Sequence, residues 1–177
     1  MKNERNLILY ISVSLDGFIA DNEGNLDFLS MVAQEGEDYG YSDFVSTVDA
    51  VIIGRKTYEK VLSMGFEYPH TDKDVYIITR SEKPAIGSFK FFSGDLTTLV
   101  ADLKRKPGKH IYCDGGAEIV NELLKNNLID ELIISVIPIL LGDGIKLFKD
   151  GRVQQKLNLL STKQFKKGLV QLHYACC

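Results

Sequence analysis

Residues 51–59 read Val-Ile-Ile-Gly-Arg-Lys-Thr-Tyr-Glu. A run of branched aliphatic residues ending in glycine suits a buried strand, and the polar residues after it open a helix. A helix start leaves N–H groups without intrahelical partners and carries partial positive charge, so this junction suits a phosphate. Gly54 permits close approach, Arg55 and Lys56 add charge, and Thr57 adds a hydroxyl. The alternative is that Arg55 and Lys56 simply solvate a helix start.

The arrangement returns at 111–120, Ile-Tyr-Cys-Asp-Gly-Gly-Ala-Glu-Ile-Val. Adjacent Gly115 and Gly116 let the backbone turn sharply, through a strained or cis peptide, and approach a pyrophosphate without side-chain clash. The spacing is neither the Rossmann glycine pattern nor the phosphate loop ending in Gly-Lys-Ser/Thr, which disfavours an ordinary Rossmann site. A plain strand-to-helix turn is the competing reading. Residues 75–81, Val-Tyr-Ile-Ile-Thr-Arg-Ser, end a strand in a cluster suited to a phosphate or to a polar loop. Residues 12–21, Ser-Val-Ser-Leu-Asp-Gly-Phe-Ile-Ala-Asp, stop the first strand at a turn. Ligands of open α/β sheets bind beyond the carboxyl ends of strands, so this loop suits a mobile lid. Asp16 serves either chemistry or the turn.

Strands are expected at 7–13, 50–53, 74–79, 89–92, 109–113, 132–140 and 169–175, with helices at 41–48, 56–63, 96–106 and 117–126. Their alternation predicts an α/β fold, a central mostly parallel mixed sheet with helices on both faces. The last third predicts antiparallel strands at one edge. No internal repeat or linker divides the 177 residues, so one domain spanning 1–177 is expected.

Hydrophobic residues make up 45% and charged residues 25%, an ordinary globular composition. The net charge of -3 argues against a nucleic-acid partner, which needs clustered Lys and Arg. The basic stretch 104–109 reads as a solvated helix end. No apolar run reaches the ~20 residues of a membrane span, and Ser12 and Asp16 come too early for a secretory signal. A cytoplasmic location is expected. Cys113, Cys176 and Cys177 form no disulfide framework.

These segments, together and in this order, resemble the reductase family that includes dihydrofolate reductase and the reductase domain of riboflavin biosynthesis. The resemblance spans nearly the whole chain, and residues 128–148, from Leu128 to Phe148, are similar to the riboflavin branch in particular. It implies a dihydrofolate-reductase-like fold and NADPH as cofactor. It further implies that Val13, Gly17, Ile19 and Ala20 lie over the nicotinamide. Gly54, Arg55, Lys56 and Thr57, with Asp114, Gly115, Gly116, Ala117 and Glu118, would hold cofactor phosphates. Thr79, Arg80 and Ser81 would meet the 2′-phosphate. The zinc-deaminase ligands of the bifunctional riboflavin enzymes are missing, which excludes deamination and leaves no metal expected. The chain has no Trp, and a Trp followed by an acid holds the pterin in dihydrofolate reductases, so authentic dihydrofolate reduction is not expected.

Hydride transfer to a small heterocyclic, pterin- or pyrimidine-like, or carbonyl substrate is the leading expectation. The substrate would enter near Asp27, Phe28 and Phe44, with Asp27 as proton donor or, alternatively, as a helix cap. A catalytically inactive nucleotide-binding module, or a site for another phosphate compound, are the other readings. A homodimer is expected from the resemblance, with 132–140 as either its contact or a central buried strand.

Overall fold

Alternate side chains of Leu7–Ser14 face opposite ways, and both directions are buried. Leu7 and Leu9 enter one hydrophobic cluster, Ile8 and Tyr10 another. Burial on two sides marks a strand sandwiched between layers, and the same holds for Val51 against Ile52 and for Ile111 against Tyr112. The computed structural model describes residues 5–151 and 154–177. Its strands are β1 (Leu7–Ser14), β2 (Phe18–Ala20), β3 (Val48–Gly54), β4 (Asp74–Ile78), β5 (Phe89–Phe92), β6 (His110–Gly115), β7 (Glu131–Ile137), β8 (Ile145–Lys146), β9 (Leu157–Gln164) and β10 (Val170–Cys176). Its α-helices are α1 (Tyr41–Ser46), α2 (Arg55–Ser63), α3 (Leu96–Arg105) and α4 (Ala117–Lys125).

Among the described residues, eight strands form one sheet in the order β5-β4-β3-β6-β1-β7-β10-β9. The first six run parallel, and β10 pairs antiparallel with both β7 and β9. Leu99, Val100 and Leu103 of α3 and Leu123 of α4 cover one face of the sheet. Phe44 of α1 and Tyr58 of α2 cover the other. Because β1, β3, β4 and β6 are parallel, they end at the same edge, at Ser14, Gly54, Ile78 and Gly115.

Several expected boundaries shift. Val48 is 1% exposed and begins β3 rather than ending a helix, because a buried β-branched residue suits the sheet. The expected strand 132–140 stops at Ile137, since Pro138 has no N–H for a ladder, and Leu140 is exposed. That strand, β7, is hydrogen-bonded between β1 and β10, so it offers no free edge to a second subunit. The edges are β5 and, beyond β10, β9, which was not expected at all and is exposed along its whole length. No helix among the described residues is long and apolar enough to cross a membrane.

Candidate cofactor and substrate cleft

Two glycine turns meet at the carboxyl edge of the sheet. Gly54 ends β3 and begins α2, while Gly116 follows β6 and begins α4, and neither helix start carries a side-chain cap. A Cβ on Gly116 would stand 2.6 Å from Thr57 Oγ1. One on Gly54 would stand 3.0 Å from Ile119 and 3.6 Å from the Gly115 carbonyl oxygen. Only glycine lets the two turns pack so closely, and the first N–H groups of both helices then open toward one region. The Gly115–Gly116 peptide is cis. Lys56 Nζ lies 3.3 Å from Glu118 and joins the two helix starts, while Arg55 pairs with Glu59 on its own helix at 2.6 Å. These exposed pairs add little stability but keep positive charge beside the turns.

A cleft of about 860 Å³ opens from this junction. Ile19 and Ala20 of β2, Lys56 and Thr57 of α2, and Gly116 line it beside the two turns. Leu29, Val32, Tyr39 and Leu169 line it as well, and the buried Tyr10 and Tyr112, with Tyr41 and Asp114, form its floor.

Asp114 is the buried-side carboxylate of this floor. Tyr68 donates a 2.5 Å hydrogen bond to Oδ2 and Tyr112 a 2.7 Å bond to Oδ1. Burial pushes the Asp114 carboxyl above the usual range, and the two phenols pull it partly back. Beside it, Tyr41 and His70 Nε2 share a 3.0 Å hydrogen bond. Burial pushes the Tyr41 phenol up to about 12 and lowers the His70 imidazole, so at neutral pH this pair carries no charge. Gln171 Nε2 donates to the Tyr10 hydroxyl and to Ser135 Oγ at 3.0 and 3.1 Å, and Tyr10 donates to the Tyr39 carbonyl at 3.0 Å. The floor is thus polar and hydrogen-bonded, under apolar walls.

Of the residues singled out from the sequence, Ile19, Ala20, Lys56, Thr57, Asp114 and Gly116 line the cleft. Gly54, Arg55, Gly115, Ala117 and Glu118 build the turns beside it. Val13 is buried in the core beneath the first loop, and Gly17 takes φ 91 within that loop. Thr79, Arg80 and Ser81 follow β4 at the same sheet edge, outside the lining, with Thr79 buried and the other two exposed.

The carboxylates and aromatics expected at the substrate end stand elsewhere. Asp27 and Phe28 begin a 3-10 turn, Asp27–Met31, that points Phe28 into a cluster with Val32, Ile137 and Leu169. Asp27 consequently faces solvent, and its neighbours Leu26 and Leu29 face the cleft instead. Phe44 stacks on Tyr10 at 4.9 Å inside the core. Asp16 accepts hydrogen bonds from Ser14 Oγ at 2.5 Å, Leu141 N at 3.1 Å and Gly142 N at 2.7 Å, tying the first loop to the loop after β7. The Ser14 hydroxyl and those N–H groups hold its carboxyl below the usual range. Tyr10, Tyr41, Tyr68, His70 and Tyr112 were missed by sequence reasoning, which assigned Asp114 to the cofactor phosphates, although Tyr112 and Asp114 stand two apart on one strand and so share a face.

The family model for the RibD C-terminal domain matches residues 5–171. YwjB of Bacillus subtilis (strain 168), an uncharacterized protein, is 46% identical over 172 residues, covering 97% of this chain and 98% of YwjB. A Shewanella sp. PV-4 protein named for riboflavin biosynthesis superposes with a TM-score of 0.88 at 32% identity, over 97% of this chain and 99% of its own. Dihydrofolate reductase from Enterococcus faecalis, complexed with NADP(H) and RAB-propyl, superposes with a TM-score of 0.65 at 16% identity, over 99% of both chains. The shared fold is the dihydrofolate-reductase-like one, as the ordered motifs led us to expect.

Proposed function

Because the chain belongs to the RibD C-terminal domain family, a reductase-like family of dihydrofolate-reductase-like fold, we propose that it is an NADPH-dependent reductase of a small heterocyclic or carbonyl substrate. The observation that carries the reading is the meeting of two uncapped helix starts at glycines whose Cβ atoms would fill the space between them. That cradle fits a dinucleotide: the N–H groups of α2 and α4 hold the pyrophosphate, with Lys56, Arg55 and Thr57 alongside. Thr79, Arg80 and Ser81 take the 2′-phosphate at the end of the neighbouring strand. Val13, Gly17, Ile19 and Ala20 shape the loop and short strand over the nicotinamide end.

Bound NADPH supplies the hydride. The reduced C=N or C=O bond also takes one proton on its nitrogen or oxygen. Asp114, rather than Asp27, is the carboxyl placed to deliver it, because it lies at the cleft floor and its affinity for a proton is raised by burial. Leu29, Val32 and Leu169 give the cleft apolar lining beside that floor. A cytoplasmic homodimer, joined through β9, completes the proposal.

NADPH oxidation followed by absorbance across pterins, pyrimidines, quinones and simple carbonyls tests it. Turnover with one of these classes is the expected result. Tight NADPH binding with no turnover anywhere in the panel would leave a nucleotide-binding module in its place.

A further inference from the structure

The tyrosines in and under the cleft are not equivalent. Tyr10 donates its phenol hydrogen to the Tyr39 carbonyl, Tyr39 to the Val32 carbonyl, and Tyr68 and Tyr112 to Asp114. Each of those hydrogens is committed to a protein oxygen. Tyr41 lines the cleft and pairs instead with His70 Nε2 at 3.0 Å. A ring nitrogen either accepts or donates, according to where the imidazole carries its hydrogen. With that hydrogen on Nε2, His70 donates to the Tyr41 oxygen, and the phenol hydrogen is left for a ligand.

His70 is enclosed rather than draped over the surface. It is 8% exposed, and its ring stands 5.6 Å from that of Tyr68, 5.8 Å from that of Tyr112 and 6.2 Å from that of Tyr41. Its φ of 69 lies in the left-handed region, which a residue other than glycine keeps only where its surroundings hold it. Burial and then Lys73 lower its imidazole, with Asp72 opposing, so at neutral pH it carries a single N–H. Burial and then the nearby Asp114 carboxylate push the Tyr41 phenol up to about 12, so Tyr41 holds its hydrogen firmly.

We propose that Tyr41, its oxygen held by the Nε2–H of His70, donates to the acceptor atom of the bond being reduced, a claim that rests on the reductase reading of the same cleft. When hydride reaches the carbon of a C=O bond, negative charge moves onto the oxygen, where a preplaced donor strengthens its hydrogen bond. The oxygen then takes the Asp114 proton, Asp114 is left as the carboxylate, and Tyr41 keeps its hydrogen. A carbonyl oxygen has two lone pairs and accommodates both donors, whereas an imine nitrogen has one. Tyr41 is therefore the catalytic residue that favours a carbonyl, and His70, acting through it, is the positioning residue.

Acetophenone and ethylbenzene share a shape and differ in the carbonyl, so calorimetric titration of the full chain saturated with NADP+ separates the donor from the apolar lining. Acetophenone is expected to bind about five- to tenfold more tightly, a preference lost in Tyr41→Phe. Infrared difference spectra of bound acetophenone report the hydrogen bond itself. The carbonyl stretch should fall to lower frequency in the unaltered chain and in His70→Gln, whose amide can still donate, and should return upward in Tyr41→Phe and His70→Leu. Equal binding of the two probes by the unaltered chain, or a stretch that Tyr41→Phe leaves in place, overturns the proposal. A stretch lowered just as far in His70→Leu overturns the role given to His70. The probe pair uses the unaltered chain, so the comparison survives a variant that fails to fold. Failure to bind NADP+ counts against the reductase reading alone, and the same titrations without cofactor then decide whether Tyr41 donates.

Discussion

Tyr68, from the segment between α2 and β4, donates its phenol hydrogen to Oδ2 of Asp114, which stands 46 residues later at the end of β6. A loop residue thereby stabilises the ionised form of the one carboxylate at the cleft floor. Tyr68→Phe removes that donor and makes the Asp114 proton harder to lose. Any pH-dependent limb of turnover or ligand binding that reports Asp114 should therefore move to higher pH in Tyr68→Phe. A limb that stays put, or moves down, would show that Asp114 does not control it.

The same burial acts on stability. The folded-state affinity of Asp114 for its proton is raised above the ordinary aspartate value of 3.8, so folding favours the neutral form. Its contribution is fully present below pH 3.8 and is lost as pH rises through the raised folded value. Asp114→Asn removes the charge but keeps a carbonyl oxygen for one phenol. It should melt higher than the parent at neutral pH, with the gain shrinking as pH falls toward 3.8. Calorimetric melts at several pH values measure this, and a gain that grows on acidification has the wrong sign.

Gly116 takes φ -71, which any residue tolerates, so the demand for glycine there comes from Thr57, not from the backbone. Gly116→Ala should weaken NADPH binding by about tenfold or more, since its methyl group occupies the approach to both helix starts. Adding Thr57→Ala relieves the contact and should restore part of the lost melting temperature without restoring full affinity. Unchanged NADPH affinity in the single variant would place the phosphates elsewhere.

β9 ends the sheet with Leu157, Leu159 and Leu160 at 41%, 56% and 53% exposure. An uncovered edge strand that also exposes leucines is primed to pair with another copy. Light scattering should find a dimer, and Leu159→Lys should shift it toward the 19.8 kDa monomer. A monomer in the unaltered chain would remove β9 from consideration as a subunit contact.

The legible parts of this molecule are those whose cause is local. The aliphatic run at 51–53 and the glycine after it announce β3 and the start of α2, and Gly115 and Gly116 do the same for β6 and α4. β9 was invisible because Leu-Asn-Leu-Leu-Ser-Thr-Lys-Gln lacks alternation, and an edge strand exposed on every residue needs none. The cleft floor was only half visible. Tyr112 and Asp114 sit two apart on one strand, but Tyr68 and His70 come from a segment with no motif. Asp27 was taken for the substrate acid because it stands beside an aromatic residue. Which of the two turns inward depends on the cluster with Ile137 and Leu169, more than 100 residues downstream, and that cluster claims Phe28.

A dinucleotide bound at the two glycine turns, with its 2′-phosphate near Arg80, is the premise of the proposed reductase activity. Titrating the protein with NADPH and with NADH, followed by cofactor fluorescence, tests this directly. Saturable binding that is tighter for NADPH, with the preference reduced in Arg80→Gln, is the predicted result. Binding of neither cofactor, or equal binding of both, would contradict it.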